Sequence, residues 1–196
     1  IVLTPAQHWS SRTPFDRMRT LWGGFAQFAP DLRLFYSGDT GYSLDFQDIA
    51  DHFRRESAPE HRREPLFDIA LLPIGAYEPR WFMQQQHMNP DEAVRIHREI
   101  AARRSIGVHW GTFELTDEPL DEAPRALAAA RSTAGLTSED FDVMAIGQTR
   151  RLDPRQASST SSTASPTATA ASGATAAFGS SRGSSASAAL AASAAT

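Results

Sequence analysis

Two hydrophobic periods run along this chain and divide it into elements. Ile1-Val2-Leu3-Thr4 is a β-branched run stopped by Pro5, which predicts a strand. Leu21 to Phe28 predicts a second strand, where the paired Gly23 and Gly24 mark a bulge or a close backbone approach. Leu34-Phe35-Tyr36 predicts a third, running into Ser37-Gly38-Asp39-Thr40-Gly41, two glycines bracketing one carboxylate. Phe67 to Ile74 is almost continuously apolar, the mark of a strand buried on both faces, and it leads into the aromatic-rich loop from Gly75 to Phe82. Ser105 to Val108 and Phe141 to Ile146 predict the last two strands. Phe46, Ile49, Ala50 and Phe53 recur at helical spacing, as do Ala93, Ile96, Ile100 and Ala101. Asn89-Pro90-Asp91-Glu92 spells a helix start, with a capping Asn, Pro at the first turn and acids against the dipole. Leu120 to Ala134 predicts a helix ending at Gly135, and Arg54 to Pro65 a charged surface loop. Strands alternating with helices predict an α/β fold class.

Composition divides the chain in two. From Gln156 to Thr196 the sequence is almost wholly Ser, Ala, Thr and Gly, with Arg182 as its one charge. Such a stretch buries too little apolar surface to offset its chain entropy, so residues 156–196 are expected to be a disordered tail. Residues 1–155 hold the charge and the Trp residues and are expected to form the folded part. The net charge of −4 offers no basic patch, which argues against a nucleic-acid partner. There is no Cys, hence neither disulfide framework nor thiolate metal site. No apolar run is long enough to span a bilayer.

Candidate chemistry lies at strand ends. His8, Asp39 and His109 each follow a predicted strand, and imidazole with carboxylate is a donor set that suits zinc. Ligands so scattered converge only if separate strands present them along one sheet edge. Taken alone, each histidine is more often a hydrogen-bonded structural group than a ligand. His97, mid-helix beside an apolar face, is expected to be structural, and His52 and His61 to be solvated.

Several segments together resemble one family. They are Thr4-Pro5-Ala6-Gln7-His8-Trp9-Ser10, Leu21-Trp22-Gly23-Gly24-Phe25, Ser37-Gly38-Asp39-Thr40-Gly41-Tyr42 and the run from Pro73 to Met83. Gln86-His87-Met88-Asn89-Pro90-Asp91-Glu92-Ala93 and His109-Trp110-Gly111-Thr112-Phe113 complete the set. In order, they are similar to the N-acyl-phosphatidylethanolamine-hydrolysing phospholipase D group of the metallo-β-lactamase superfamily. The resemblance implies an αββα sandwich with two zinc ions at one edge of its paired sheets. It implies His8, Asp39 and His109 as metal ligands, with Asp39 bridging the ions. His87 and Asp39 become the catalytic candidates, and Gln86, His87, Arg80 and Tyr77 the substrate-binding ones.

The superfamily's His-x-His-x-Asp-His motif has no counterpart, since no two of the six histidines stand two apart. The resemblance is therefore to the C-terminal half of the domain, expected to be inactive by itself and to leave one sheet face uncovered as an apolar patch. The implied reaction is zinc-dependent hydrolysis of N-acyl-phosphatidylethanolamine to an N-acylethanolamine and a phosphatidic acid. The implied partner is a phospholipid at a membrane surface, with peripheral association at a mitochondrial or other intracellular membrane and a homodimer as a further expectation. A hydrolase of the same fold acting on another phosphodiester or a lactone, and a truncated non-catalytic product, are the alternatives. Arg80 weighs equally as a phosphate ligand and as an ordinary ion pair. Trp81, Phe82 and Met83 are candidates for an acyl groove or lipid contact, with core packing expected for at least one.

Overall fold

The structure is a computed structural model and describes residues 1–62, 64–152 and, as backbone, 189–191. Six strands form one sheet: β1 (Val2–Thr4), β2 (Gly24–Phe28), β3 (Arg33–Tyr36), β4 (Ile69–Pro73), β5 (Ser105–Val108) and β6 (Phe141–Val143). Their spatial order is the order of sequence. β1 pairs antiparallel with β2, and β2 with β3; β3, β4, β5 and β6 then run parallel. Helices α1 (Asp45–Glu56), α3 (Pro90–Glu99) and α4 (Glu122–Thr133) connect the parallel strands, and a single turn, α2 (Arg80–Met83), precedes α3.

The period of two in each strand sorts side chains between the sheet's faces. Ala26, Phe35, Ala70, Leu72 and Phe141 face α1, α3 and α4. There they join Phe46, Ile49, Phe53, Ile96 and Leu127 in the main core. The opposite face carries a smaller cluster of Ile69, Ile106 and Met144, flanked by the half-buried Leu34, Leu71 and Val108. Leu3 and Phe25, paired across β1 and β2, extend this row and are exposed. Helices thus cover one face of one sheet, half the layering of an αββα sandwich, and the other face keeps an apolar stripe.

Most elements stand where the hydrophobic periods put them, and the departures have local causes. The Arg54–Pro65 stretch, expected to be a loop, begins as helix. Arg54 and Arg55 fill the last turn of α1, where cations suit the helix dipole, and a 3-10 turn, Pro59–His61, follows. Helix α2 arises inside the expected aromatic loop, and none of its residues is buried, so the core packing expected among Trp81, Phe82 and Met83 does not occur. Instead the Trp81 and Phe82 rings lie against one another on the surface, 5.7 Å apart. The last sheet strand ends at Val143 rather than Ile146. Two three-residue strands, β7 (Thr149–Arg151) and β8 (Ala189–Ala191), pair antiparallel and are too short to leave a sequence pattern. The tail expected to be disordered, residues 156–196, otherwise lies outside the described residues.

Candidate metal centre

Strand direction gathers the candidate residues. Two successive antiparallel pairings return β1 to the direction of β3, and β3, β4 and β5 are parallel. The carboxyl ends of β1, β3 and β5 therefore share one edge of the sheet, which is where His8, Asp39 and His109 lie. The Asp39 loop is clamped there from two sides. Gln7 N–H donates to Thr40 Oγ1 (2.9 Å) and Gly41 N–H to the Gln7 carbonyl (3.0 Å), while Met88 N–H donates to the Thr40 carbonyl (3.0 Å). Gly38 takes φ +71°, and a Cβ on it would stand 2.7 Å from the Gly23 carbonyl oxygen. That contact is the close approach expected of the paired glycines. A Cβ on Gly41 would stand 2.7 Å from the Gln85 carbonyl oxygen, so its absence lets the segment carrying His87 close over the loop.

Three imidazoles surround the Asp39 carboxylate. His8 Nε2 is 3.2 Å and His109 Nε2 3.4 Å from Oδ2, and His87 Nδ1 is 3.0 Å from Oδ1. His109 reaches the carboxylate from a left-handed backbone, φ 59°, a conformation that strains a residue with a side chain. His8 Nδ1 lies 2.9 Å from the Trp9 carbonyl, so that nitrogen carries the proton and Nε2 presents its lone pair inward. Burial opposes ionisation of Asp39, yet the three close imidazoles of His109, His8 and His87 outweigh it and hold the carboxyl well below its ordinary range. For His8, burial works against the charged form but the Asp39 carboxylate prevails and raises the pKa. His109 is raised chiefly by its bond to Asp39.

His8 Nε2, Asp39 Oδ1 and His87 Nδ1 are buried and have no hydrogen-bond partner. They stand close but are not aimed at one another as donor and acceptor. One ligand atom from each of His8, Asp39 and His87 lies within 4.8 Å of the others. Atoms about 2.1 Å from a tetrahedral ion stand about 3.4 Å apart, so this spacing suits a cation between them. Orphaned donors and acceptors at that spacing fit a divalent metal better than they fit an apo hydrogen-bond network.

The other candidates separate. Gln86 stays at the site: its Oε1 accepts a hydrogen bond from Trp9 Nε1 (2.7 Å), and with His8 it lines a cleft of 540 Å³. Arg80 does not line that cleft. Its Nη2 donates to both carboxylate oxygens of Glu92 (3.0 and 2.9 Å) and its Nη1 to the His87 carbonyl (2.9 Å). Of the two roles weighed for Arg80 the ion pair is the one formed, and its guanidinium fastens the His87 turn to α3. Tyr77 is buried in the main core rather than set in the cleft, and burial, reinforced by Glu118, pushes its hydroxyl up to about 12. His87, expected in the wall, sits against the carboxylate itself. His97 is buried, with Nδ1 2.8 Å from Ser105 Oγ, as a structural histidine should be. Arg17 and Met18 also line the cleft, and nothing in the spacing of the Arg-rich 12–19 loop marks them.

Residues 1–110 match the family model described as the beta-lactamase superfamily domain. This chain belongs to that superfamily. Within the superfamily it is 44% identical over 112 residues to N-acyl-phosphatidylethanolamine-hydrolyzing phospholipase D 1 of Caenorhabditis elegans, covering 57% of this chain and 28% of that protein. It is 39% identical over 120 residues to the mitochondrial N-acyl-phosphatidylethanolamine-hydrolyzing phospholipase D of Saccharomyces cerevisiae, covering 60% of this chain and 24% of that one. An uncharacterized protein of Mycobacterium tuberculosis is 40% identical over 141 residues, 70% of this chain and 34% of its own. The chain thus spans 24–34% of the length of these relatives.

Proposed function

We propose that this chain builds one wall of a zinc phosphodiesterase of phospholipase D type, acting on N-acyl-phosphatidylethanolamine and releasing N-acylethanolamine and phosphatidic acid. The observation that carries the reading is the convergence of His8, His87 and His109 on Asp39, with three buried ligand atoms left without hydrogen bonds. The two named relatives supply the substrate, and the imidazole–carboxylate donor set supports zinc. His8, Asp39 and His109 would hold metal, two ions in the complete domain; in this chain alone the ligand atoms that lie together are those of His8, Asp39 and His87. A divalent cation there supplies Lewis acidity toward the phosphoryl oxygens and makes a water acidic enough to attack at neutral pH.

The chain's own groups do the rest. Asp39, held ionised, keeps negative charge at the site, and His8 is locked in one tautomer by the Trp9 carbonyl. With Nδ1 toward Asp39, His87 keeps Nε2 for the substrate and would hold a proton there against a phosphoryl oxygen or the departing alkoxide. Gln86 and Trp9 shape the cleft where the headgroup would lie. No helix among the described residues is long and apolar enough to cross a membrane. Peripheral attachment to a mitochondrial or other intracellular membrane is the corresponding proposal, supported by the lipid substrate and by the exposed Trp81 and Phe82.

Zinc titration of this chain by calorimetry tests the reading. Saturable binding is expected, and Asp39→Asn should weaken it at least about tenfold, the scale on which altered ligand surroundings lower metal affinity. Equal zinc affinity in the two proteins would overturn the assignment. In an enzyme that includes this chain, N-acyl-phosphatidylethanolamine should be turned over faster than a soluble diester such as glycerophosphocholine. The reverse preference would overturn the lipid substrate.

A further inference from the structure

We propose that Arg17, held over the Trp9 ring, is the anion-receiving group of the cleft beside Asp39 and binds the negative charge of a phosphodiester. This deepens the phosphodiesterase reading and rests on it. A monoanionic diester lying in the cleft calls for a side-chain cation on its wall, and Arg80 does not serve, because Glu92 and the His87 carbonyl take its guanidinium. Of the residues lining the cleft, Arg17 is the one carrying a permanent positive charge. Its guanidinium carbon lies 5.3 Å from the Trp9 ring centroid, and it makes no ion pair among the described residues.

The geometry leaves that guanidinium ready to bind. Arg17 is exposed, so N–H donors of its guanidinium remain open to a phosphate while the cation sits over the indole. Trp9 is itself fixed, by the bond from Nε1 to Gln86 Oε1 and by parallel stacking with His8 at 5.8 Å. Arg17, Trp9, His8 and Asp39 form one continuous series of contacts from the cleft to the cluster.

The loop behind Arg17 is also built. Asp16 Oδ1 accepts from the Arg12 and Thr13 amides (2.9 and 2.7 Å). Ser10 Oγ donates to the Thr20 carbonyl (2.7 Å), and Met18 N–H to the Ser10 carbonyl (2.6 Å), closing the loop at its base. An arginine presented from a closed loop loses less entropy on binding than one on a mobile strand of chain.

The test is a titration of this full chain followed through the Trp9 indole N–H resonance, identified with a Trp9→Phe variant. The probes are diethyl phosphate, inorganic phosphate and, as the neutral control, glycerol. Diethyl phosphate should shift the Trp9 signal saturably and glycerol should not. Arg17→Gln should weaken the diester about five- to tenfold, from loss of a charged hydrogen-bond donor, and Arg17→Lys should weaken it less. If Arg17→Gln binds the diester as tightly as the wild type, Arg17 is not the anion-receiving group, and the phosphodiesterase reading stands. If the wild type responds to inorganic phosphate but not to the diester, or to neither, this proposal falls together with the phosphodiester reading of the cleft.

Discussion

The histidines around Asp39 and the buried His97 show how one residue type is put to opposite uses in this chain. Around Asp39 the imidazoles keep polar atoms buried and unpaired, whereas His97 closes its hydrogen bond to Ser105 and lies under the ring of Phe141. Burial lowers the His97 pKa from 6.5; the carboxylate of Asp140 opposes this and Arg98 adds to it. The sign follows from linkage. Above pH 6.5 the ring is neutral folded and unfolded, so it contributes nothing. Below that, the unfolded chain takes a proton that the folded one resists, and stability falls. Chemical denaturation between pH 7 and 5 should therefore show the wild type losing stability relative to His97→Gln as pH drops. A pH-independent difference between the two would contradict the neutral buried ring. Three of the six histidines meet at Asp39; a place after a predicted strand marks His8 and His109, whereas His87 carries no such local mark. The choice depends on which side chains find a partner when folded.

At the scale of elements, α3 is the best-written piece of the chain. Asn89 Oδ1 accepts from the Glu92 amide (2.9 Å) while Glu92 Oε2 accepts from the Asn89 amide (3.0 Å), the capping box that Asn-Pro-Asp-Glu spells. The same Glu92 carboxylate takes Arg80, so the cap also steadies the turn that carries His87. Asn89→Ala should cost about 1 kcal/mol in thermal or denaturant unfolding. A change under about 0.3 kcal/mol would mean that tertiary packing alone fixes the start of α3. Helix α2 could not be read in the same way. Four residues make one turn, too few for a helical period to show, and its aromatic rings suggested burial when they in fact face solvent.

For the whole molecule, the covered and open faces of the sheet matter most. On the open face Leu3 is 54% and Phe25 45% exposed, in line with the smaller cluster of Ile69 and Ile106. A contiguous apolar row of this kind drives association. Sedimentation velocity should show concentration-dependent self-association of this chain, reduced in a Leu3→Asp, Phe25→Asp double variant. Equal association in both would place the contact elsewhere. The clustering of His8, Asp39 and His109 also belongs to this scale, because it follows from two antiparallel turns followed by three parallel crossovers.

The sequence by itself determined the local elements: strands from short apolar runs, α1, α3 and α4 from period and caps, and chemistry-bearing residues at strand ends. Those signals are written in neighbouring positions, where backbone preference and side-chain period act directly. Only the tertiary structure decided that Arg80 is taken by Glu92, that Tyr77 is core, that His87 stands against Asp39, and that Arg17 reaches the same cleft. Each of these depends on what approaches from another element, and one chain position carries no record of the residues that will fold against it.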